Sequence, residues 1–415
     1  MRQMNFLTFF GILFLSVFAF NFHFTTADPD DTVDAAEIIE SRGFKSEVHT
    51  IVTQDGYILT NFRIVHPLSK NINSKPILLQ SGLFGSGDDF IVTSPNGFLD
   101  ESMINLRDSP ESIDYKRQGS NLGFLLANLG YDVWLTNFRG NYYSRNHTKF
   151  DPDSSEFWST NFDEMATIDL PTIIDYVLDE TKKETVGYIG VSRGGTTMFA
   201  LLSDKPEYAD KVKPFIALAP AVFIGRSYPR WVRPFIENNF LTSLLLDHPS
   251  ECLPRRISKR LRSWTKIPMV NAIFAMIKPS LNLIFRVNES RAEVYLSHYP
   301  AGAPCWDIVH YGQFASNGFR KLDFGEKLNL VKYGTSEPPE YHLGKIRSND
   351  IVIINSVGDR IVHPDNIVKL VNNLNVKPKK WIVINQTDFR HGNFVHSDGT
   401  HVNFFSYIFQ ILAGY

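Results

Sequence analysis

Cysteine is almost missing from this chain, with two residues, Cys252 and Cys305, in a length of 415. So few exclude a disulfide-stapled scaffold and a cysteine-rich metal centre. An excess of charge of one sign is missing too. Lys and Arg number 42 against 44 Asp and Glu, a net charge of −2. That balance excludes a global attraction to nucleic acid or to anionic membranes. No stretch is of low complexity, and 43% hydrophobic with 13% aromatic residues is the composition of a chain with a large core, not of a disordered one. Long apolar runs are missing with one exception, FLTFFGILFLSVFAF at 6–20. It falls short of the roughly 20 residues that a spanning helix needs. It follows Arg2 and precedes the small residues Thr25, Thr26 and Ala27, so it reads as a secretory signal peptide over 1–27, cut after Ala27. The expectation is a chain in the secretory pathway, secreted or lysosomal, with no transmembrane anchor after cleavage.

What is present gains meaning from that compartment. Asn146-His147-Thr148, Asn288-Glu289-Ser290 and Asn385-Gln386-Thr387 are glycosylation sequons. In an oxidising compartment Cys252 and Cys305 are candidates to pair, although two free buried thiols fit the sequence as well.

Residues 46–65, SEVHTIVTQDGYILTNFRIV, read as a β-hairpin around the two-residue turn Asp55-Gly56. Short apolar runs follow: KPILLQ (75–80), YDVWLT (131–136), ETVGYIGV (184–191), KPFIALAPAV (213–222), DIVIINSV (350–357) and KWIVIN (380–385). Rich in Val and Ile and without alternation, they predict parallel strands buried on both faces. Helical patterns separate them. DLPTIIDYVLDE offers Asp169 as a cap, Pro171 in the first turn and an apolar stripe of Ile174, Val177 and Leu178. HVNFFSYIFQIL reads as a closing helix. The predicted class is α/β, a mostly parallel sheet covered on both faces.

Two stretches interrupt the alternation. Residues 98–120 are charged and read as an exposed insertion, expected near the active-site rim. Residues 224–310 show helical pieces without a strand pattern and read as a cap or lid. They divide the core into 28–223 and 311–415. Between 224 and 280 the cap holds ten Lys or Arg against three Asp or Glu, with apolar runs between. This suits a solvated cationic face over a helical core, and equally peripheral contact with a lipid interface.

One serine stands between glycines, in Gly190-Val191-Ser192-Arg193-Gly194. Alone the pattern is weak, since average composition produces it in roughly one chain of this length in ten. Its position after a strand and before an apolar-faced helix is the context of a nucleophile elbow. A serine hydroxyl needs a histidine to take its proton, and the histidine needs an acid to hold its tautomer. The acid should follow a late strand, where DIVIINSVGD ends in Asp359, with Asp365 as competitor. The base should follow the last strand, where His391 stands, with His396 and His401 as rivals. For the oxyanion, the backbone N–H of Arg193 is one candidate donor, and that of Leu83, in the loop after KPILLQ, is the other.

With these residues placed, the chain resembles the acid lipase family of gastric and lysosomal lipases and their insect relatives. The stretches that carry the likeness are VTQDGYIL, LGYDVWLTNFRGNYYSR, EFWSTNFDEMATIDLP, HYPAGAP, PPEYHL and GDRIVHP. The resemblance runs from about Gly43 to the C-terminus. It implies an α/β-hydrolase fold with a helical cap, a triad of Ser192, Asp359 and His391, lipid esters as substrates, and neither metal nor organic cofactor. The chain departs from the family in three places. Ser81-Gly82-Leu83 stands for the usual His-Gly-Leu, Val191 and Arg193 flank the serine where His and Gln are usual, and Asn393 stands for an Asp. The reading is a serine ester hydrolase acting on triacylglycerols or sterol esters. A lipid-binding or storage protein of the same fold with little activity is the alternative.

Overall fold

The computed structural model describes residues 28–68, 74–107, 109–225, 239–256, 291–396 and 404–415. The expected signal segment, Asn288, His401 and, from the cap, 226–238 and 257–290 lie outside the described residues.

Strands β1 (Lys45–Val52), β2 (Ile58–Val65), β3 (Pro76–Gln80), β4 (Asp132–Thr136), β5 (Val186–Val191) and β6 (Val212–Leu218) come first along the chain. The two-residue pieces β7 (Glu251–Cys252) and β8 (Ala303–Pro304) pair with each other away from the main sheet. Strands β9 (Ile351–Ser356) and β10 (Lys380–Ile384) complete it. The order across the sheet is β1-β2-β4-β3-β5-β6-β9-β10. β1 and β2 pair antiparallel, β2 meets β4 antiparallel, and every later pair is parallel.

Burial explains why the central strands lack alternation. Every residue of β3, β4, β5 and β9 is buried, so both faces must be apolar. β10 departs from this expectation. Only Ile384 of it is buried, and Trp381 and Val383 are exposed, because β10 is an edge strand. The first hairpin also differs. Its strands are joined by Thr53–Tyr57 rather than by two residues, with Gly56 at φ 100°.

Helices α1 (Leu122–Asn128), α2 (Leu170–Thr181), α3 (Arg193–Asp204), α4 (Cys305–Asn317), α5 (Pro364–Asn373) and α6 (Phe405–Leu412) are those the site depends on or that flank it. Asp169 makes no capping bond to α2. A π-helical turn, Met165–Asp169, leads straight into α2, and the Asp169 carboxylate is committed to Arg139. α4 runs across residue 310, so the expected boundary there cuts a helix. Its face carrying Tyr311 and Phe314 belongs to the main core.

The segment 98–120 is exposed over much of its length but anchored by buried Met103, Pro110 and Ile113. Arg107 lies 4.4 Å over the Tyr131 ring, just before β4 begins. That is the end of the sheet opposite Ser192, so the expected place for this part of the segment at the active-site rim is corrected. No helix among the described residues is long and apolar enough to cross a membrane.

Candidate active site

Ser192 sits in the sharp turn between β5 and α3, at φ 52° and ψ −113°. An L-residue adopts that conformation only when its surroundings impose it. The ladder continues past the strand ends to hold it, with Ser192 N–H donating to Leu218 O at 2.8 Å. The flanking glycines have separate reasons to be glycine. A Cβ on Gly190 would lie 2.6 Å from Gly194 C and Gly195 N. One on Gly194 would lie 2.5 Å from Gln80 O and 2.9 Å from Ser81 O. The first lets α3 leave the strand at a steep angle, and the second lets α3 pack against the end of β3.

The same β3 end leads into the loop that faces the serine. A Cβ on Gly82 would stand 3.3 Å from Ser192 Cβ and 3.8 Å from its hydroxyl. Leu83, the next residue, is thus carried beside Ser192, and its carbonyl accepts from Tyr299 Oη at 3.1 Å. Arg193 is the first residue of α3, where backbone N–H groups have no partner inside the helix.

Asp359 and His391 are joined. His391 Nδ1 lies 2.7 Å from Asp359 Oδ2, and Asp359 Oδ1 accepts from the N–H groups of Ile361 at 2.8 Å and Val362 at 2.9 Å. The loops after β9 and β10 are tied together to make this contact. Ser356 Oγ donates to Phe389 O at 2.9 Å, and Arg390 Nη1 donates to Gly358 O at 2.9 Å. Because β5, β6, β9 and β10 are parallel neighbours, Ser192, Asp359 and His391 all emerge at one end of the sheet.

The rivals lie elsewhere. Asp365 is exposed at the start of α5, and its carboxylate lies 3.2 Å from His363 Nδ1. His396 is buried against the rings of Tyr295 and Tyr299, with Nε2 3.4 Å from Asp89 Oδ1. Burial pushes its pKa down to about 4. Asp89 in turn accepts from the Ser81 hydroxyl, and burial pushes its carboxyl up to about 7. Ser81, where the family has His, is therefore part of a polar group buried behind the loop.

Sequence reasoning missed two further arrangements. Arg193 is buried, and its Nη1 lies 2.6 Å from Oδ2 of Asp307, on α4. Burial pushes the Asp307 carboxyl up to about 6 in spite of that partner. A buried arginine demands a carboxylate, but nothing in the spacing of the chain says which one. The second arrangement gathers residues of three family stretches. Arg139 is held by Asp169 at 2.6 Å and Asp55 at 2.6 Å, and its guanidinium lies 4.0 Å from the Tyr57 ring centroid. The cluster ties the turn between β1 and β2 to the end of β4 and the start of α2.

Cys252 and Cys305 form a disulfide. Asn146 and Asn385 are exposed, the latter at the end of β10.

Residues 75–389 match the family model of the alpha/beta hydrolase fold, and residues 35–94 match that of a partial alpha/beta-hydrolase lipase region. Lipase 1 of Drosophila melanogaster is 32% identical over 389 residues, covering 92% of this chain and 80% of that protein. The chain belongs to the acid lipase family. Gastric triacylglycerol lipase of Bos taurus is 32% identical over 358 residues, covering 84% of this chain and 83% of that protein. The human protein of the same name is 32% identical over 368 residues, with 83% of each covered. Ser81 and Arg193, which depart from the acid lipase family's usual residues, leave the backbone N–H groups of Leu83 and Arg193 in place, since any non-proline residue supplies one. Asn393, where an Asp is usual, is buried and accepts from Arg390 N–H at 2.7 Å, one residue before the histidine.

Proposed function

We propose that the chain is a serine ester hydrolase cleaving carboxylic esters of lipids, with Ser192 as nucleophile, His391 as base and Asp359 as the acid that orients it. The observation that carries the proposal is the His391–Asp359 contact at 2.7 Å, made at the sheet end where Ser192 occupies a strained elbow. With Nδ1 engaged by Asp359, Nε2 of His391 is the nitrogen left to take a proton. Ser192 Oγ attacks the acyl carbonyl while His391 accepts its proton. The oxyanion forms against the N–H groups of Arg193 and Leu83. Collapse breaks the ester bond, and His391 returns the proton to the departing alcohol. Water, deprotonated by the same imidazole, then releases the fatty acid and restores Ser192. Long-chain esters such as triacylglycerols or sterol esters are the substrate class, by analogy with the gastric relatives. The disulfide and the exposed sequons at Asn146 and Asn385 suit a glycosylated protein of the secretory pathway.

Labelling with a fluorophosphonate probe tests the chemistry. The folded protein is expected to react at Ser192, and His391→Ala is expected to lose ester turnover by roughly 10⁴-fold or more. A folded wild type that does not react would favour the lipid-binding alternative. Turnover surviving in His391→Ala would move the base elsewhere.

A further inference from the structure

The two proposed oxyanion donors belong to segments far apart in sequence, yet one short stretch touches both. Tyr299 Oη donates to the carbonyl of Leu83 at 3.1 Å. Ala301 N–H donates to the carbonyl of Phe84 at 2.7 Å. Asp307 holds the guanidinium of Arg193 at 2.6 Å. Phe84, Tyr299 and Ala303 pack in one apolar cluster with the disulfide cysteines, and Leu83 lies against it. Phe84 itself is held at φ 62°, a conformation that a bulky side chain rarely adopts.

We infer that residues 299–307 act as a positioning clamp that sets the distance between the Leu83 and Arg193 backbone donors, with Tyr299 and Asp307 as its positioning residues. This rests on the ester-hydrolase reading above. Neither residue touches the reacting atoms. Each acts through the backbone that does. The ion pair suits the task because both partners are buried, Arg193 at 2% exposure and Asp307 at 0%. Neither charge can be withdrawn without leaving the other desolvated and alone. The side chain of Arg193 is therefore tied to α4, and its backbone N–H travels with it. A neutral Gln, usual in the family at this position, has no charge to bind in this way. The Arg in the elbow and the Asp on α4 are accordingly one feature, not two.

The clamp predicts a defect in turnover rather than in binding, because a misplaced donor weakens only the transition state. The variants are Asp307→Asn, Arg193→Gln, the two combined, and Tyr299→Phe. Each is assayed for kcat and KM on a short soluble ester and for the rate of Ser192 phosphonylation per folded molecule. Asp307→Asn is expected to lower kcat and the labelling rate by about 10- to 100-fold, with KM changed by less than about 3-fold. Tyr299→Phe is expected to lose about 10-fold in the same manner. The combined variant, in which a neutral pair replaces the charged one, is expected to recover to within about 5-fold of wild type. Wild-type rates per folded molecule in both Asp307→Asn and Tyr299→Phe overturn the clamp, as does a combined variant as slow as Asp307→Asn. If Asp307→Asn does not fold, Tyr299→Phe and the combined variant decide. A wild type that fails to label at all overturns the enzyme reading itself, a result distinct from variants that label as fast as a reactive wild type.

Discussion

Ser192 is held at φ 52°, where a side chain costs on the order of 1–3 kcal/mol. That cost leaves a measurable signature. Glycine ordinarily destabilises relative to alanine by restricting less of the unfolded chain. Here the order should invert. Ser192→Gly is expected to unfold at higher urea than Ser192→Ala, by about 1 kcal/mol, while both lose ester turnover. Equal midpoints would mean that the elbow carries no strain. A second residue makes a prediction in pH. His396 has its pKa lowered to about 4 by burial, below the ordinary value near 6.5. Between those values the unfolded chain binds a proton that the folded one refuses. Stability from this residue is therefore present above about 6.5 and lost as pH falls through about 4. Asp89, facing it at 3.4 Å, works in the opposite sense. Its raised carboxyl, at about 7, takes up a proton in the folded state first, so its contribution falls as pH rises from the usual carboxylate range to about 7. Ser81 donates to Asp89, while Oδ2 of its neighbour Asp88 is engaged by His298 and Arg255. His396→Phe, which keeps an aromatic ring against Tyr295 and Tyr299, removes only the first contribution. Its stability relative to wild type should climb by up to about 3 kcal/mol between pH 7 and pH 4 in denaturant titrations. A flat difference across that range would assign the acid sensitivity to another group.

At the scale of elements, the elbow is a packing solution before it is a catalytic one. β5, α3 and the end of β3 approach so closely at Gly190 and Gly194 that a methyl group has no place. Gly194→Ala brings its Cβ to 2.5 Å from Gln80 O, which is backbone and cannot swing aside. The expected result is a loss of more than about 2 kcal/mol in stability. The loop carrying Leu83 should also be displaced, slowing Ser192 phosphonylation by about 100-fold. An unaltered labelling rate would separate that loop from the reaction. The central strands were readable from sequence because burial on both faces leaves a continuous apolar run. The same signal finds β10 but overstates its burial, since this edge strand packs Ile382 and Ile384 on the core and leaves Trp381 and Val383 exposed on its other face. Asp359 and His391 were expected as partners from chain order relative to the strands, and the fold brings them to 2.7 Å. Asp365 already lay beyond Pro364 and away from the strand end, whereas His396 was separated from His391 only by contacts. Asp169 shows why. A short acid before an apolar stripe is the mark of a cap, and only the folded chain reveals that Arg139 claims it. Asp307 gave no local signal, because its role depends on a partner 114 residues away.

Over the whole molecule, the disulfide ties the segment at Cys252 to the start of α4, beside the proposed site. Cys252 and Cys305 close a gap of 53 residues, and opening such a loop costs about 4 kcal/mol in the chain-entropy model. Stability alone does not exhaust its effect, because α4 begins at Cys305 and carries Asp307 on its first turn. The same bond lies in the cluster against which Leu83 packs. Replacing both cysteines by serine should therefore do two separable things. The unfolding free energy should fall by about 4 kcal/mol. At a temperature where the variant remains folded, kcat on a soluble ester should also fall by about 10-fold with little change in KM. A bond that merely restricts the unfolded chain would give the first effect without the second. Measuring unfolding and turnover on the same preparation distinguishes the two, since activity corrected for the folded fraction is blind to the unfolded state. Full activity per folded molecule in the cysteine-free variant would confine the disulfide to stability and leave the clamp to rest on Tyr299 and Asp307 alone. A loss in kcat with KM unchanged would carry the influence of the disulfide, through α4, to the backbone N–H beside Ser192.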